Sequence, residues 1–193
     1  MRTLSDNSAY QLQSGREESG QSLSSIISYR SPIGTLLIEA SARGISRVTC
    51  NSNAIQPQIS EDAIYTSRQA QLHLESACSA LTKYFSGKME ALAFVPLDVK
   101  SSSFGSSVFD AARHIPPAKT VGYRELASSL GNPSAQRAVA RALAANPIPL
   151  FIPCHRVIHS NGTLGGYSFA EGVKTKAFLL ELERGCPLYT HRE

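Results

Sequence analysis

Proline and glycine punctuate residues 116 to 147 so closely that only short helices fit between them. Pro116-Pro117 stops a helix predicted from about Gly105 to His114. A second, Tyr123 to Leu130, is closed by Gly131 where a left-handed cap is wanted. Asn132-Pro133 then offers an N-cap and a proline at the first helical position. The helix they start is predicted over Pro133 to Ala145 and halts at Asn146-Pro147. Two short helices across a tight glycine-containing turn make a helix-turn-helix.

Charge agrees with that element. The net charge is +4, and residues 1–100 balance nine Lys/Arg against nine Asp/Glu. The surplus therefore belongs to the second half, where Arg113, Lys119, Arg124, Arg137, Arg141 and Arg156 face only Glu125 between residues 111 and 160. A basic surface alone reads first as a solvated face, and a nucleic-acid footprint needs an element to carry it. On the second helix of the motif, however, Arg137 and Arg141 are four apart and share a face, while Val139 and Leu143 sit about 200° around and can pack. Ala135 and Ala138 keep the helix slender enough for close approach to a groove. Few amide side chains are offered for reading base edges, which suits DNA binding that ignores sequence.

The first half reads as α/β. Ile26 to Tyr29, Thr35 to Ala40 and Ile45 to Cys50 are predicted strands separated by turns at Pro32-Ile33-Gly34 and Arg43-Gly44. A helix is expected from about Ser67 to Phe85, with Leu72, Ser76, Ser79 and Tyr84 near one face, and Val95 to Val99 is extended. Ser101-Ser102-Ser103 reads as a linker, giving units at 26–100 and 101–193 after a polar tail at 1–25. The tail lacks the basic and apolar blocks of a secretory signal and reads as disordered or as an appended remnant. No apolar run approaches a membrane span, so no membrane partner is expected. Cys50, Cys78, Cys154 and Cys186 form no C-x-x-C pair, so reduced thiols and no metal are expected.

Cys154 is set apart by Ile152-Pro153-Cys154-His155-Arg156-Val157-Ile158, directly after the DNA-reading element. A thiol becomes a useful nucleophile when a base or cation ionises it; taken alone, Cys154 reads as a packed core residue. A last helix is expected from about Ala170 to Glu183, with Ser168 and Glu171 as a capping box. Val173, Ala177, Leu180 and Glu181 fall on one side, placing Glu181 at the edge of the apolar face and Glu183 about 200° away. Glu181 then serves either to orient a histidine or to pair with a rim arginine.

With these residues assembled, the chain resembles the O6-alkylguanine-DNA alkyltransferases over about Ile26 to Arg184. Pro-Cys-His-Arg-Val at 153–157 matches the family signature, flanked in order by Arg137-Ala138-Val139, Asn146-Pro147, Ser160-Asn161-Gly162 and Gly165-Gly166-Tyr167. The resemblance implies a ribonuclease-H-like amino-terminal unit and a mostly helical, winged-helix-like carboxy-terminal unit. It implies one transfer per molecule, from O6-alkylguanine and by extension O4-alkylthymine in double-stranded DNA, to Cys154. His155 would take the thiol proton through a water, with Glu181 behind it, and Asn146 would brace the turn. Tyr123 would act at the extruded base and its phosphate, and Arg137 would fill the stack. Arg141, Ala138 and Ala135 would face a minor groove. Val157 and Ser168 would hold the guanine, with Tyr167 and Leu143 walling the pocket. Lys174 would approach the thiol, and Pro149 would help accommodate larger groups. No cofactor is implied. A monomer, able to cluster on DNA, is expected in the cytoplasm, or in the nucleus of a eukaryote.

Two other readings use part of the same residues. A cysteine hydrolase would employ Cys154 and His155 but leave the helix-turn-helix unexplained. A sequence-specific regulator would employ the helix-turn-helix and leave the cysteine segment unexplained.

Overall fold

The computed structural model describes residues 25–51 and 67–185. The predicted tail up to residue 24, residues 52–66, and Cys186 lie outside the described residues.

Alternating side chains build the first layer. Strands β1 (Ser25–Ser31), β2 (Gly34–Ser41) and β3 (Gly44–Asn51) form an antiparallel sheet in that order, with Ile38 opposite both Ile27 and Val48. Leu36, Ile38 and Ala40 alternate onto the buried face, as a period of two requires. Helix α1 (Arg68–Phe85) lies against it, started by Ser67, whose Oγ accepts from Ala70 N at 3.1 Å. Its buried face is Ala70, Leu74, Ala77, Leu81 and Tyr84. The predicted face of Leu72, Ser76 and Ser79 is wrong apart from Tyr84, and Leu72 is 42% exposed. Alanines at 70 and 77, which allow the helix to approach the sheet closely, carry the pattern instead.

Helix α2 (Ser103–Arg113) begins before its predicted start. Ser102 caps it by accepting from Gly105 N at 3.1 Å, so the last of the three serines already belongs to the helix. Strand β4 (Val121–Gly122) leads straight into α3 (Tyr123–Ser129). After Gly131 (φ 80°), Asn132 Oδ1 accepts from Ser134 N at 3.2 Å. Pro133–Ala135 then forms a 3₁₀ turn, and α4 runs from Gln136 to Ala144. The α-helix is thus shorter at its start than predicted, because the capped proline turn winds more tightly. The helix-turn-helix itself stands, with Val139 and Leu143 buried and Arg137 and Arg141 exposed.

Strand β5 (Val157–Ile158) pairs in parallel with β4, tying the start of α3 to the segment that follows Cys154. The last helix, α5 (Val173–Glu183), begins after Gly172 (φ 63°), later than expected. No capping box forms. Ser168 Oγ donates to Ala144 O at 3.3 Å, and Glu171 N donates to Thr175 Oγ1 at 3.0 Å.

One apolar core runs through both halves. Backbone hydrogen bonds from Ile45 N to Pro96 O (2.9 Å) and Val48 N to Pro147 O (2.8 Å) join β3 to the connecting segment and to the loop before Cys154. Among the described residues no helix is long and apolar enough to cross a membrane.

Candidate active site

Asn146 organises the loop that presents the cysteine. Its Oδ1 accepts from Ile148 N at 2.9 Å, and its Nδ2 lies 2.9 Å from Ile152 O and 3.2 Å from Cys154 Sγ. Within that loop Leu150 takes a left-handed conformation (φ 74°) while remaining buried, which reverses the chain sharply. Cys154 then opens a 3₁₀ turn, Cys154–Arg156, all three residues of which are buried. Asn146→Ala is expected to leave Ile148 N unpaired and to remove one of the two donors to Ile152 O, destabilising the protein by about 1–3 kcal/mol. It should also slow alkylation of Cys154 by iodoacetamide, because a donor to the sulfur is lost; a thermal melt and a labelling time course check both.

The sulfur borders a cavity of about 380 Å³, walled by Tyr123, Leu143, His159, Tyr167 and Ser168, with Ala140 and Ala144 contributed by α4. The helix that carries Arg137 and Arg141 is therefore also a wall of the pocket beside Cys154. Among the residues singled out in the sequence, Tyr123, Leu143, Cys154, Tyr167 and Ser168 meet here, with Asn146 behind the sulfur. Arg137, Ala138 and Arg141 lie exposed on α4, and Ala135 is partly buried in the turn before it. Val157 and Pro149 are buried outside the wall.

Two sequence assignments are corrected. The carboxylate beside His155 belongs to Glu183, not Glu181: His155 Nε2 lies 2.8 Å from Glu183 Oε1. Likewise Lys176, not Lys174, enters the site. Lys176 is fully buried and its Nζ donates to Val157 O at 2.7 Å and to Leu164 O, whereas Lys174 is exposed. Both errors share one cause. The buried face of α5 is Thr175, Lys176, Leu179, Leu180 and Glu183, an arc of about 140° that excludes Val173, Lys174 and Glu181. Apolar residues surround this helix on every side, so periodicity could not fix its rotation.

Glu183 is the most heavily bonded side chain of the site. Oε1 receives His155 Nε2, Arg156 Nη2 (2.7 Å) and Tyr84 Oη (2.9 Å), and Oε2 receives Arg156 Nε (3.0 Å) and Ala118 N (3.0 Å). Arg156 Nη1 also donates to Ile115 O at 2.7 Å. Burial works to raise the Glu183 carboxyl, but the hydrogen bonds from His155 and Arg156 and their charges hold it down at about 2. Burial drives His155 the other way, below the ordinary imidazole value, with Glu183 opposing. The ring is thus neutral near pH 7 with its proton on Nε2 toward Glu183, and Nδ1 carries the free lone pair. Nδ1 has no hydrogen-bond partner among the described residues.

Burial also pushes the Cys154 thiol up, partly offset by Asn146, Lys176 and Tyr167. The resting group is a thiol with the means of ionisation beside it. Burial lowers Lys176 to about 8, against the pull of Cys154. Burial and Cys154 push the Tyr123 phenol up, so it stays protonated. Tyr167 Oη is buried near Cys154 without a well-directed hydrogen bond, and burial raises it well above its ordinary value.

Sequence reasoning missed His159, whose ring packs on Tyr123 at 5.3 Å between centroids. A β-carbon on Gly165 would come within 2.8 Å of His159 Nε2, so that glycine (φ 70°) makes room for the ring. The Gly165-Gly166 pair was the available signal. Among the described residues no cluster of His, Cys, Asp and Glu could hold a metal.

Comparison with known proteins places both halves. Residues 103–185 match the model of the 6-O-methylguanine DNA methyltransferase DNA binding domain, and residues 26–99 match that family's ribonuclease-like domain. The methylated-DNA–protein-cysteine methyltransferase of Methanosarcina acetivorans is 35% identical over 82% of this chain and 97% of its own. The protein of the same description from Methanosarcina barkeri is 39% identical over 79% of this chain and 92% of its own. The crystal structure of Mycobacterium tuberculosis OGT in complex with DNA superposes with a TM-score of 0.68 at 32% identity, covering 83% of this chain and 93% of that one.

Proposed function

Because the chain belongs to the 6-O-methylguanine DNA methyltransferase family, we propose that it repairs double-stranded DNA by moving an alkyl group from O6-alkylguanine to its own Cys154, once per molecule. The observation that carries this reading is the shared wall. Cys154 lies in a pocket formed partly by α4, the helix whose exposed face bears Arg137 and Arg141. A nucleotide rotated out of a duplex held against α4 enters beside the sulfur. Arg137 takes its place in the stack, Arg141 meets phosphate, and the slender Ala135 and Ala138 let the helix approach the minor groove. The same pocket holds O4-alkylthymine less fully, because a pyrimidine is smaller.

His155 Nδ1 accepts the thiol proton through solvent, while Glu183 holds the ring by Nε2 and stabilises the imidazolium that forms. Lys176 stabilises the developing thiolate electrostatically. The sulfur lone pair attacks the alkyl carbon, the carbon–oxygen bond breaks, and its electrons leave on guanine O6. Tyr123 assists as the proton donor to that leaving base, and Ser168, which lines the pocket, holds it in place. The product is a thioether, which water does not cleave, so the site is spent. No cofactor enters. The reaction requires DNA and a reduced thiol, conditions that support a location in the cytoplasm, or in the nucleus of a eukaryote.

Incubation with excess duplex containing O6-methylguanine is expected to add one methyl per chain, located at Cys154 by peptide mass, and then stop. Cys154→Ala should bind the same duplex and gain nothing. Continued turnover would favour a cysteine hydrolase, and an unmodified chain that binds one defined sequence would favour a regulator.

A further inference from the structure

The amino-terminal half contributes a side chain to the relay. Tyr84, near the end of α1, is fully buried, and its hydroxyl donates to Glu183 Oε1 at 2.9 Å across 99 residues of sequence. That oxygen is the one His155 Nε2 reaches at 2.8 Å. Ring packing does not explain the hydroxyl: the Tyr84 ring meets Phe85 edge-on at 5.3 Å and 76°, a contact phenylalanine would make equally well. A buried hydroxyl needs a partner, and this one is the carboxylate behind the histidine.

We propose that Tyr84 is a positioning residue for alkyl transfer, its hydroxyl setting how much of the Glu183 charge His155 experiences and so the pH at which the imidazole can act as a base. The inference rests on the reaction proposed above. Each donor on Oε1 draws electron density away from the others, and Tyr84 is the donor among them that stays uncharged when His155 takes up a proton. The other groups facing His155 and Glu183 are Arg156, next to His155 in the chain, Lys176 on α5, and Tyr167 from the segment before α5. Arg156 and Lys176 are cations that oppose the imidazolium, and the Ala118 amide occupies the other carboxylate oxygen. Burial and the adjacent carboxylate keep the Tyr84 phenol well above its ordinary range, so it remains a donor.

The sign of the effect follows. Removing the hydroxyl leaves more charge for His155, which favours the imidazolium and moves its ionisation to higher pH. In Tyr84→Phe, the NMR titration of the His155 ring should shift up by roughly half to one pH unit. The acid limb of single-turnover transfer should move with it, lowering the rate up to about tenfold below the transition. Uniform incorporation of fluorotyrosine, which strengthens the phenol as a donor without removing it, should move the titration down; it also covers failure of the phenylalanine variant to fold. An unmoved titration, with only a lower melting temperature or a rate loss equal at all pH values, would overturn the proposal. If the native chain leaves Cys154 unalkylated, the transfer reading falls, while the His155 titration still reports whether Tyr84 is coupled to it.

Discussion

Glu183→Gln is expected to slow single-turnover alkyl transfer by about two to four orders of magnitude, while Glu181→Gln stays within about twofold of the native rate. The amide can still meet one or two of the donors on Glu183, but it carries no charge to stabilise the His155 imidazolium, and it invites the wrong tautomer. It also leaves the buried Arg156 guanidinium without its counter-ion, at a cost of about 3–5 kcal/mol. The pH dependence gives a second signature. Glu183 is held at about 2 against an ordinary 4.5, so its contribution to stability is complete above 4.5 and lost as pH falls from there toward 2. The size is about 3 kcal/mol, from the two and a half units between the two values. Urea midpoints measured through that window should fall with pH in the native protein, and more weakly in Glu183→Gln. Equal losses of rate at positions 181 and 183 would contradict the assignment.

Lys176→Met should be the second severe substitution. Its ammonium is fully buried and satisfies the carbonyls of Val157 and Leu164, which lie on either side of the turn that carries His159. Methionine fills similar volume and leaves both carbonyls unpaired, costing about 2–4 kcal/mol. The charge that lowers the Cys154 thiol disappears with it. The thiol then ionises less readily and the pocket loses its brace, so transfer should slow by roughly 10- to 100-fold. Lys174→Met, at the exposed neighbouring position, should leave rate and melting temperature nearly unchanged. Quench-flow transfer kinetics with differential scanning calorimetry on the two variants decides the matter. A native-like rate in Lys176→Met would show that the cation is structural only.

Residues whose meaning is local were legible from sequence. Gly131, Asn132-Pro133 and Asn146-Pro147 mark chain reversals through backbone preferences that need no tertiary partner, and the helix-turn-helix appeared between them. The three strands were legible from β-branched residues and the Gly34 and Gly44 turns. Cys154, Asn146, Tyr123, Tyr167 and Ser168 were reached through the resemblance to a family, which the short motifs around Cys154 carry.

Determined by the sequence alone, then, were most of the elements and their order, because each depends on interactions within a few residues. The tertiary structure decided the rotation of α5, and with it that Lys176 and Glu183, rather than Lys174 and Glu181, turn inward. A helix with apolar residues all around has no preferred face until its neighbours supply partners. Here those partners were the carbonyls of Val157 and Leu164, the side chains of His155 and Arg156, and a tyrosine from the opposite half of the chain. A buried charge goes where its hydrogen bonds can be met, and that place is defined only once the chain has folded.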